Sequence, residues 1–312
     1  MNRRGSEYDV SCVVNTTEPT VVNAEVNRIF HELYPTASTA AMDRAFRDLA
    51  ALYKGEYPGY HACDTAYHDI QHVLDVTLAM ARLIDGYERG RAGLEPLGAS
   101  MFRLGVIAAL FHDCGYVRTR DDTEHKTGAE LTLTHVSRGA RFLKDYLPRI
   151  GMGDAADIAA ALIHFTGYET PVAQIKVPTL AHRLLGSLLG SADIIAQMSD
   201  RCYLEKCRDR LYPEFLAGGL ARRRLADGKE EVLYRSGDDL VRKTPFFYQG
   251  ATRRLNADLG GAHRYAQDHF GGQDLYMEEL RKNIEFARAI KDEADRIALK
   301  RTPPSTITDK SG

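Results

Sequence analysis

The stretch Leu110-Phe111-His112-Asp113-Cys114-Gly115 sets a His-Asp pair at the end of the apolar run 104–111 and follows it with a glycine. A helix buried by that run delivers an imidazole and a carboxylate, side by side, into the interior. Neither group is tolerated there unpaired, because an uncompensated buried charge costs several kcal/mol or is neutralised by a pKa shift. A divalent cation partners both at once. The dipeptide alone is a weak sign, since His68-Asp69 is a second copy. The polar residues at helical distances on either side give it weight.

Upstream, His68 and His72 in Tyr67-His68-Asp69-Ile70-Gln71-His72 stand at i and i+4 and share one helix face. Downstream, His135 lies in an amphipathic segment, His164 at the end of the apolar Ala161-Leu162-Ile163, and Asp193 within Leu188-Leu189-Gly190-Ser191-Ala192-Asp193-Ile194-Ile195. A lone histidine in an apolar helix is ordinarily a core residue bonded to a backbone carbonyl. An aspartate among Leu, Ile and Ala needs a stronger partner. The successive intervals from Asp113 to His135, from His135 to His164 and from His164 to Asp193 are 22, 29 and 29 residues, each about one helix plus a turn. Helix packing can therefore bring His72, His112, Asp113, His135, His164 and Asp193 to one centre.

Four imidazoles and two carboxylates do not suit a structural zinc site, which favours cysteines. They suit a two-metal catalytic site. His72, His112, Asp113 and Asp193 are expected to hold one ion (Zn, Fe or Mn), and His135 and His164 the other (Mg, Mn or Fe), with Asp113 bridging. Such a pair lowers the pKa of a bound water from 15.7 to about 7 and clamps both oxygens of a phosphoryl displacement.

The elements that must position these residues read as helices. Apolar residues recur at helical spacing over 21–35, 39–53, 67–87 and 99–111, then over 127–146, 154–165 and 179–211. Two closing helices are expected over 245–259 and 274–300, with 217–245 less regular. No β-alternation of useful length, repeat or dividing linker is found. The expectation is an all-α helical bundle forming a single catalytic domain over 21–300, with an extended or disordered lead-in over 1–20 and a frayed tail over 301–312.

Of the 312 residues 44% are hydrophobic and 27% charged, with a net charge of −2, which gives no basic surface for a nucleic-acid polymer or membrane. The runs Arg222-Arg223-Arg224 and Arg253-Arg254 are short, neighboured by acids, and read as solvated helix surface. Five cysteines without a CxxC pair, and a polar start with no apolar leader, lead us to expect a reducing, cytoplasmic setting. Cys114, beside the His-Asp pair, is the one thiol expected to be open to oxidation. A homodimer is compatible with all of this.

The order His…His-Asp…His…His…Asp resembles the HD-domain superfamily of metal-dependent phosphohydrolases. Tyr67-His68-Asp69-x-x-His72-Val73-x-Asp75-Val76 is similar to the Tyr-His-Asn-x-x-His-Ala-x-Asp-Val signature of class I cyclic-nucleotide phosphodiesterases, and the likeness extends over residues 53–246. The resemblance implies a PDEase-like fold and hydrolysis of a small nucleotide-like phosphate ester, a 3′,5′-cyclic nucleotide first. A metal-bridging hydroxide would attack phosphorus. His72 would be a ligand, His68 the general acid to the departing oxygen, and Asp75 the group orienting an imidazole. Lys243-Thr244-Pro245-Phe246 resembles the stretch that carries the family's base-reading glutamine and clamping aromatic, which makes Phe246 the clamp, with Lys243 and Gln197 as further substrate contacts. His125 is a lip or second-layer candidate. Arg118 and Arg120 in the same loop read as solvated surface.

The sequence departs from that pattern at Tyr116, where the family has a second histidine, at Asp69 for its asparagine, at Lys243 for its glutamine, and at Ala196 for a late asparagine. His135-x-x-x-Gly139 and His164 look more like the second-metal histidines of HD-GYP cyclic-dinucleotide phosphodiesterases, although only Gly167-Tyr168-Glu169 echoes that family's Gly-Tyr-Pro element. Three alternatives stand beside the reading: a cyclic-dinucleotide phosphodiesterase, an HD-type di-iron oxygenase with the same ligand order, and a non-enzymatic nucleotide sensor.

Overall fold

The computed structural model describes residues 4–224, 229–290 and 298–305. Helices α1 (Pro19–Leu33), α2 (Ala40–Lys54), α3 (Ile70–Gly90) and α4 (Gly98–Phe111) form the first half, and α5 (His135–Tyr146), α6 (Ala156–Leu162) and α7 (Leu180–Ser199) follow. The short α8 (Tyr203–Lys206) and α9 (Tyr212–Ala217), then α10 (Gly237–Arg253), α11 (Tyr265–His269) and α12 (Leu275–Ile290), complete the set. Among the described residues the strands are β1 (Arg222–Arg224) and β2 (Glu230–Val232), one antiparallel pair. The class is all-α, a helical bundle. No described helix is long and apolar enough to cross a membrane.

Helix α3 is the axis of the bundle. It packs against α1, α4, α7 and α11 and is buried almost throughout from Gln71 to Tyr87. Its periodic stripe of Val73, Val76, Leu83 and Ile84 predicts one buried face, but neighbours surround it. The polar residues on its other faces therefore had to find partners inside. Arg82 donates to Asp9 at 2.6 Å and to the Tyr276 hydroxyl at 3.0 Å. Asp9 belongs to the segment expected to be a loose lead-in. Its carboxylate accepts the Val13 and Val14 amides, Val10 and Val14 are buried, and Tyr8 bridges to Asn15. A buried ion pair left half-made costs about 3–5 kcal/mol, so Arg82 holds the segment in place. Residues 1–3 lie outside the described residues.

Two boundaries that differ from the sequence expectation have identifiable reasons. The helix expected over 179–211 breaks at Asp200, whose carboxylate takes the Cys202 amide at 2.6 Å and Lys206 Nζ at 2.5 Å, an alternative to the helical ladder. Helix α10 begins at Gly237, not at Pro245, because Ser236 caps it by accepting the Asp239 amide at 3.1 Å and Pro245 is carried inside the helix. The closing helix is described only to Ile290. Residues 291–297, within the expected 274–300, lie outside the described residues, as do 306–312 of the expected tail.

Candidate metal centre and its pocket

Local chemistry delivers each side chain. Asp69 is the N-cap of α3 and accepts the His72 amide at 3.0 Å, which puts His72 on the first turn and His68 in the approach to it. His112 and Asp113 immediately follow α4, whose apolar run ends deep in the core. His135 opens α5 and Asp193 lies midway along α7. The turn after Asp113 passes so close to α5 that a Cβ on Gly115 would sit 1.8 Å from the His135 carbonyl oxygen. Only glycine permits that approach.

Four donor atoms converge. Asp113 Oδ2 is 3.2 Å from both His72 Nε2 and His112 Nε2, while Asp193 Oδ1 is 3.5 Å from His72 Nε2 and 3.9 Å from His112 Nε2. His135 Nε2 faces the other oxygen of Asp113, Oδ1, at 3.6 Å. Metal–nitrogen bonds near 2.0–2.1 Å put neighbouring ligand atoms about 3–3.5 Å apart. The two contacts of Asp113 and the His72–Asp193 contact are of that order, while Asp193 stands farther from His112. His112 Nδ1 donates to the Ala109 carbonyl at 2.8 Å and His135 Nδ1 to that of Thr132 at 2.6 Å, so each turns its Nε2 inward. His112 Nε2 is buried without a hydrogen-bond partner. An orphaned imidazole nitrogen beside two carboxylates fits a divalent cation, and the buried His72, His112 and Asp113 can hold one.

The electrostatics agree with that need. Burial works against a charged His112, yet Asp113 outweighs it and holds the imidazole up at about 9. Burial likewise opposes the Asp113 carboxylate, and the surrounding His112, His72 and His68 keep it well below the usual range. A proton on His112 thus occupies the charge balance that a metal would take over. Burial leaves His135 below its ordinary value, in the neutral form a ligand requires.

Beside the cluster, His68 Nδ1 is 2.5 Å from Glu214 Oε2, and Glu214 Oε1 accepts the Tyr67 amide at 2.5 Å. Burial lowers the His68 pKa, but the Glu214 carboxylate more than offsets it and the net shift is upward. The His68 ring stacks on Tyr116 at 4.3 Å and 15°, and Tyr116 stacks on His135 at 4.3 Å and 18°. Tyr116 forms the middle plate of three.

These groups open into a cavity of about 480 Å³. Gln197 lines it with both amide ends engaged, to Asp193 Oδ1 at 3.3 Å and to the Tyr67 hydroxyl at 3.3 Å, so it braces the Asp193 carboxylate. Lys243 lines it too, bonded to the Leu233 carbonyl and to Asp239. Phe246 is 71% exposed and outside the lining, whereas Phe247 is part of it together with Leu240, Lys243 and Thr244 on one face of α10.

His164 does not line that cavity. Its neighbours Ile163 and Phe165 turn into the core, it borders a depression with Ser137 and Lys144, and its Nδ1 meets Oε1 of Glu169, a residue that does line the cavity, at 3.0 Å. His125 is tied to Asp122 at 3.0 Å in the loop and does not line the cavity. Arg118 is paired with Asp64, and Arg120 binds the carbonyls of Tyr60 and Gly55. Asp75 borders a small cavity with His72, Asp200 and Lys206, and burial together with Asp200 pushes its carboxyl up to about 7. Cys114 is buried and its thiol is raised by that burial, so it is not the exposed thiolate that oxidation requires. The sequence reading did not single out Glu214, Tyr168 or Phe247. Phe247 stands beside the named Phe246 and Tyr168 lies in the Gly-Tyr-Glu echo, whereas Glu214 has no local signal because its partner His68 is 146 positions away.

The family model described as Npun_R2479-like matches residues 58–259, more than half of the chain. No curated protein matches the sequence. Among solved structures, a crystal structure of the phosphodiesterase domain of Salpingoeca rosetta rhodopsin phosphodiesterase is similar, with a TM-score of 0.52 at 13% identity, covering 93% of this chain and 97% of that one. A second, of the phosphodiesterase domain of the RhoPDE fusion protein from the same choanoflagellate, scores 0.49 at 13% identity over 93% and 95%. At that identity the likeness is one of fold.

Proposed function

The chain belongs to the Npun_R2479-like family, and from that premise, with the phosphodiesterase-like fold and the cluster at its centre, we propose that it is a metal-dependent phosphohydrolase cleaving a 3′,5′-cyclic nucleotide. The observation that carries the reading is the His68–Glu214 pair, a proton donor fixed next to a cluster of metal-ligating type. In this reading His72, His112, Asp113 and Asp193 hold one divalent ion, and Asp113 with His135 contributes to a second. Those ions supply charge neutralisation at the phosphoryl oxygens and an acidified water.

The chain's own residues do the rest. Glu214 keeps the His68 ring oriented through Nδ1 and favours its cationic form, so that Nε2 can protonate the departing O3′. Tyr116 restrains the tilt of that ring from one face. Gln197 steadies Asp193. The apolar part of the cavity encloses the nucleoside and displaces water from it.

The di-iron oxygenase alternative uses the same ligand order, but a carboxylate-supported histidine has no evident task in it, and this favours the hydrolase. The test is anaerobic turnover of cyclic nucleotides by protein reconstituted with Mn or Zn. Cleavage without oxygen supports the proposal; turnover only with iron and oxygen, or none with any metal, overturns it.

A further inference from the structure

The part of the cavity away from the metal cluster is rich in rings and aliphatic side chains, and three side chains there that could read a hydrogen-bonding edge, Gln197, Lys243 and Thr244, are already engaged. The Gln197 amide is bound at both ends. Lys243, the only lysine or arginine among the described residues lining the cavity, donates to the Leu233 carbonyl at 2.7 Å and to Asp239 at 3.0 Å, and its ammonium lies over the Tyr234 ring. The Thr244 hydroxyl is given to the Leu240 carbonyl at 3.2 Å.

Tyr168, by contrast, is a prepared surface. One face of its ring is covered by the Arg254 guanidinium, 4.1 Å from the centroid. Arg254 is itself buried and fixed by the carbonyls of Phe165 at 2.7 Å and Gly167 at 2.6 Å. The ring is nevertheless 64% exposed and lines the cavity, as does Phe247, which is 41% exposed. Two exposed rings, one of them locked from behind, cost little ordering when a flat group settles on them.

We infer that this pocket takes the part of its substrate beyond the phosphorus by stacking on Tyr168 and Phe247, accepts any of the four nucleobases alike, and rejects a substrate carrying a second phosphate. The inference rests on the phosphohydrolase reading for where the first phosphate sits. Stacking tolerates every base because every base has a π-face. A site that hydrogen-bonds a base edge instead rejects the wrong partner by about 10⁴-fold or more. Among the described residues a second phosphate would meet no lysine or arginine in the lining other than the engaged Lys243, and it would share the cavity with the Glu169 carboxylate. This separates the substrate from cyclic dinucleotides and from nucleoside di- and triphosphates.

The test measures binding by titration calorimetry to Mn-reconstituted protein, with 5′-AMP, GMP, CMP and UMP, ribose 5-phosphate, ADP and a cyclic dinucleotide. The four monophosphates should bind within about tenfold of one another, and ribose 5-phosphate at least about tenfold more weakly, since one base stack is worth about 1–3 kcal/mol. Tyr168→Ala and Phe247→Ala, both at exposed positions, should each erase most of that gap without weakening ribose 5-phosphate, while Tyr168→Phe should keep it. A preference above about 100-fold for one base, ADP or the dinucleotide binding as tightly as AMP, or a gap that survives both alanine variants would each overturn the inference. Binding as expected without turnover of any ester would leave the pocket assignment standing and remove the hydrolase reading instead.

Discussion

Replacing Glu214 by glutamine removes a negative charge 2.5 Å from His68 Nδ1 while keeping the volume and a hydrogen-bonding group. Hydrogen bonds to charged groups are worth about 1.5–3 kcal/mol, and each 1.36 kcal/mol is tenfold in rate. At a pH where His68 is protonated only because Glu214 favours it, kcat for a cyclic nucleotide should fall about 10- to 150-fold. The direction in pH follows from the sign of the shift. The folded His68 pKa is raised, so the alkaline limb of kcat lies above the ordinary histidine range in the wild type and moves to lower pH in the variant. The same pair stabilises the fold fully below the ordinary histidine pKa of about 6.5, and that contribution is lost as pH rises through the elevated value. The assay compares the cyclic nucleotide with bis-p-nitrophenyl phosphate over a pH series. A nitrophenolate departs without a proton, so its rate should be nearly unchanged in Glu214→Gln. An equal loss on both substrates with metal content intact would refute the acid role. Metal loss from the variant would show that Glu214 serves the cluster instead.

Metal uptake should depend on pH, because His112, held up at about 9, must give up its proton to become a ligand. Affinity should rise between pH 7 and 9 with protons released to the buffer, a chelator should lower the melting temperature, and His72→Ala or Asp193→Ala should lose metal by elemental analysis; unchanged metal content would remove those two ligands. Tyr116→Leu removes two stacked contacts, each about 0.5–1.5 kcal/mol, and should slow cyclic-nucleotide cleavage while sparing the nitrophenyl ester, whereas Tyr116→Phe should keep both rates. Gly115→Ala forces a Cβ against the His135 carbonyl and should cost about 1–3 kcal/mol in denaturant unfolding together with most of the activity. A neutral outcome there would mean that the turn is not held as described.

Periodicity alone was enough for the all-α class and for most helix positions, because an apolar stripe at helical spacing has few other ways to be buried. The same argument reached Asp193 before any contact was known: a carboxylate inside Leu188–Ile195 needed a partner of opposite charge, and α7 brings it within 3.5 Å of His72. Such arguments are local, and they fail where the answer is a direction or a distant partner. One position along a helix is a turn of about 100°, which separates Phe246 at the outer surface from Phe247 in the cavity. His164 follows the cluster's spacing in the chain, but the inward packing of Ile163 and Phe165 turns it toward Glu169. Glu214 reaches His68 across 146 positions, and Asp9 reaches Arg82 across 73. Burial chose those partners, since a charge enclosed by a bundle must take whichever counter-charge the packing leaves beside it, and that neighbour exists only once the helices have met.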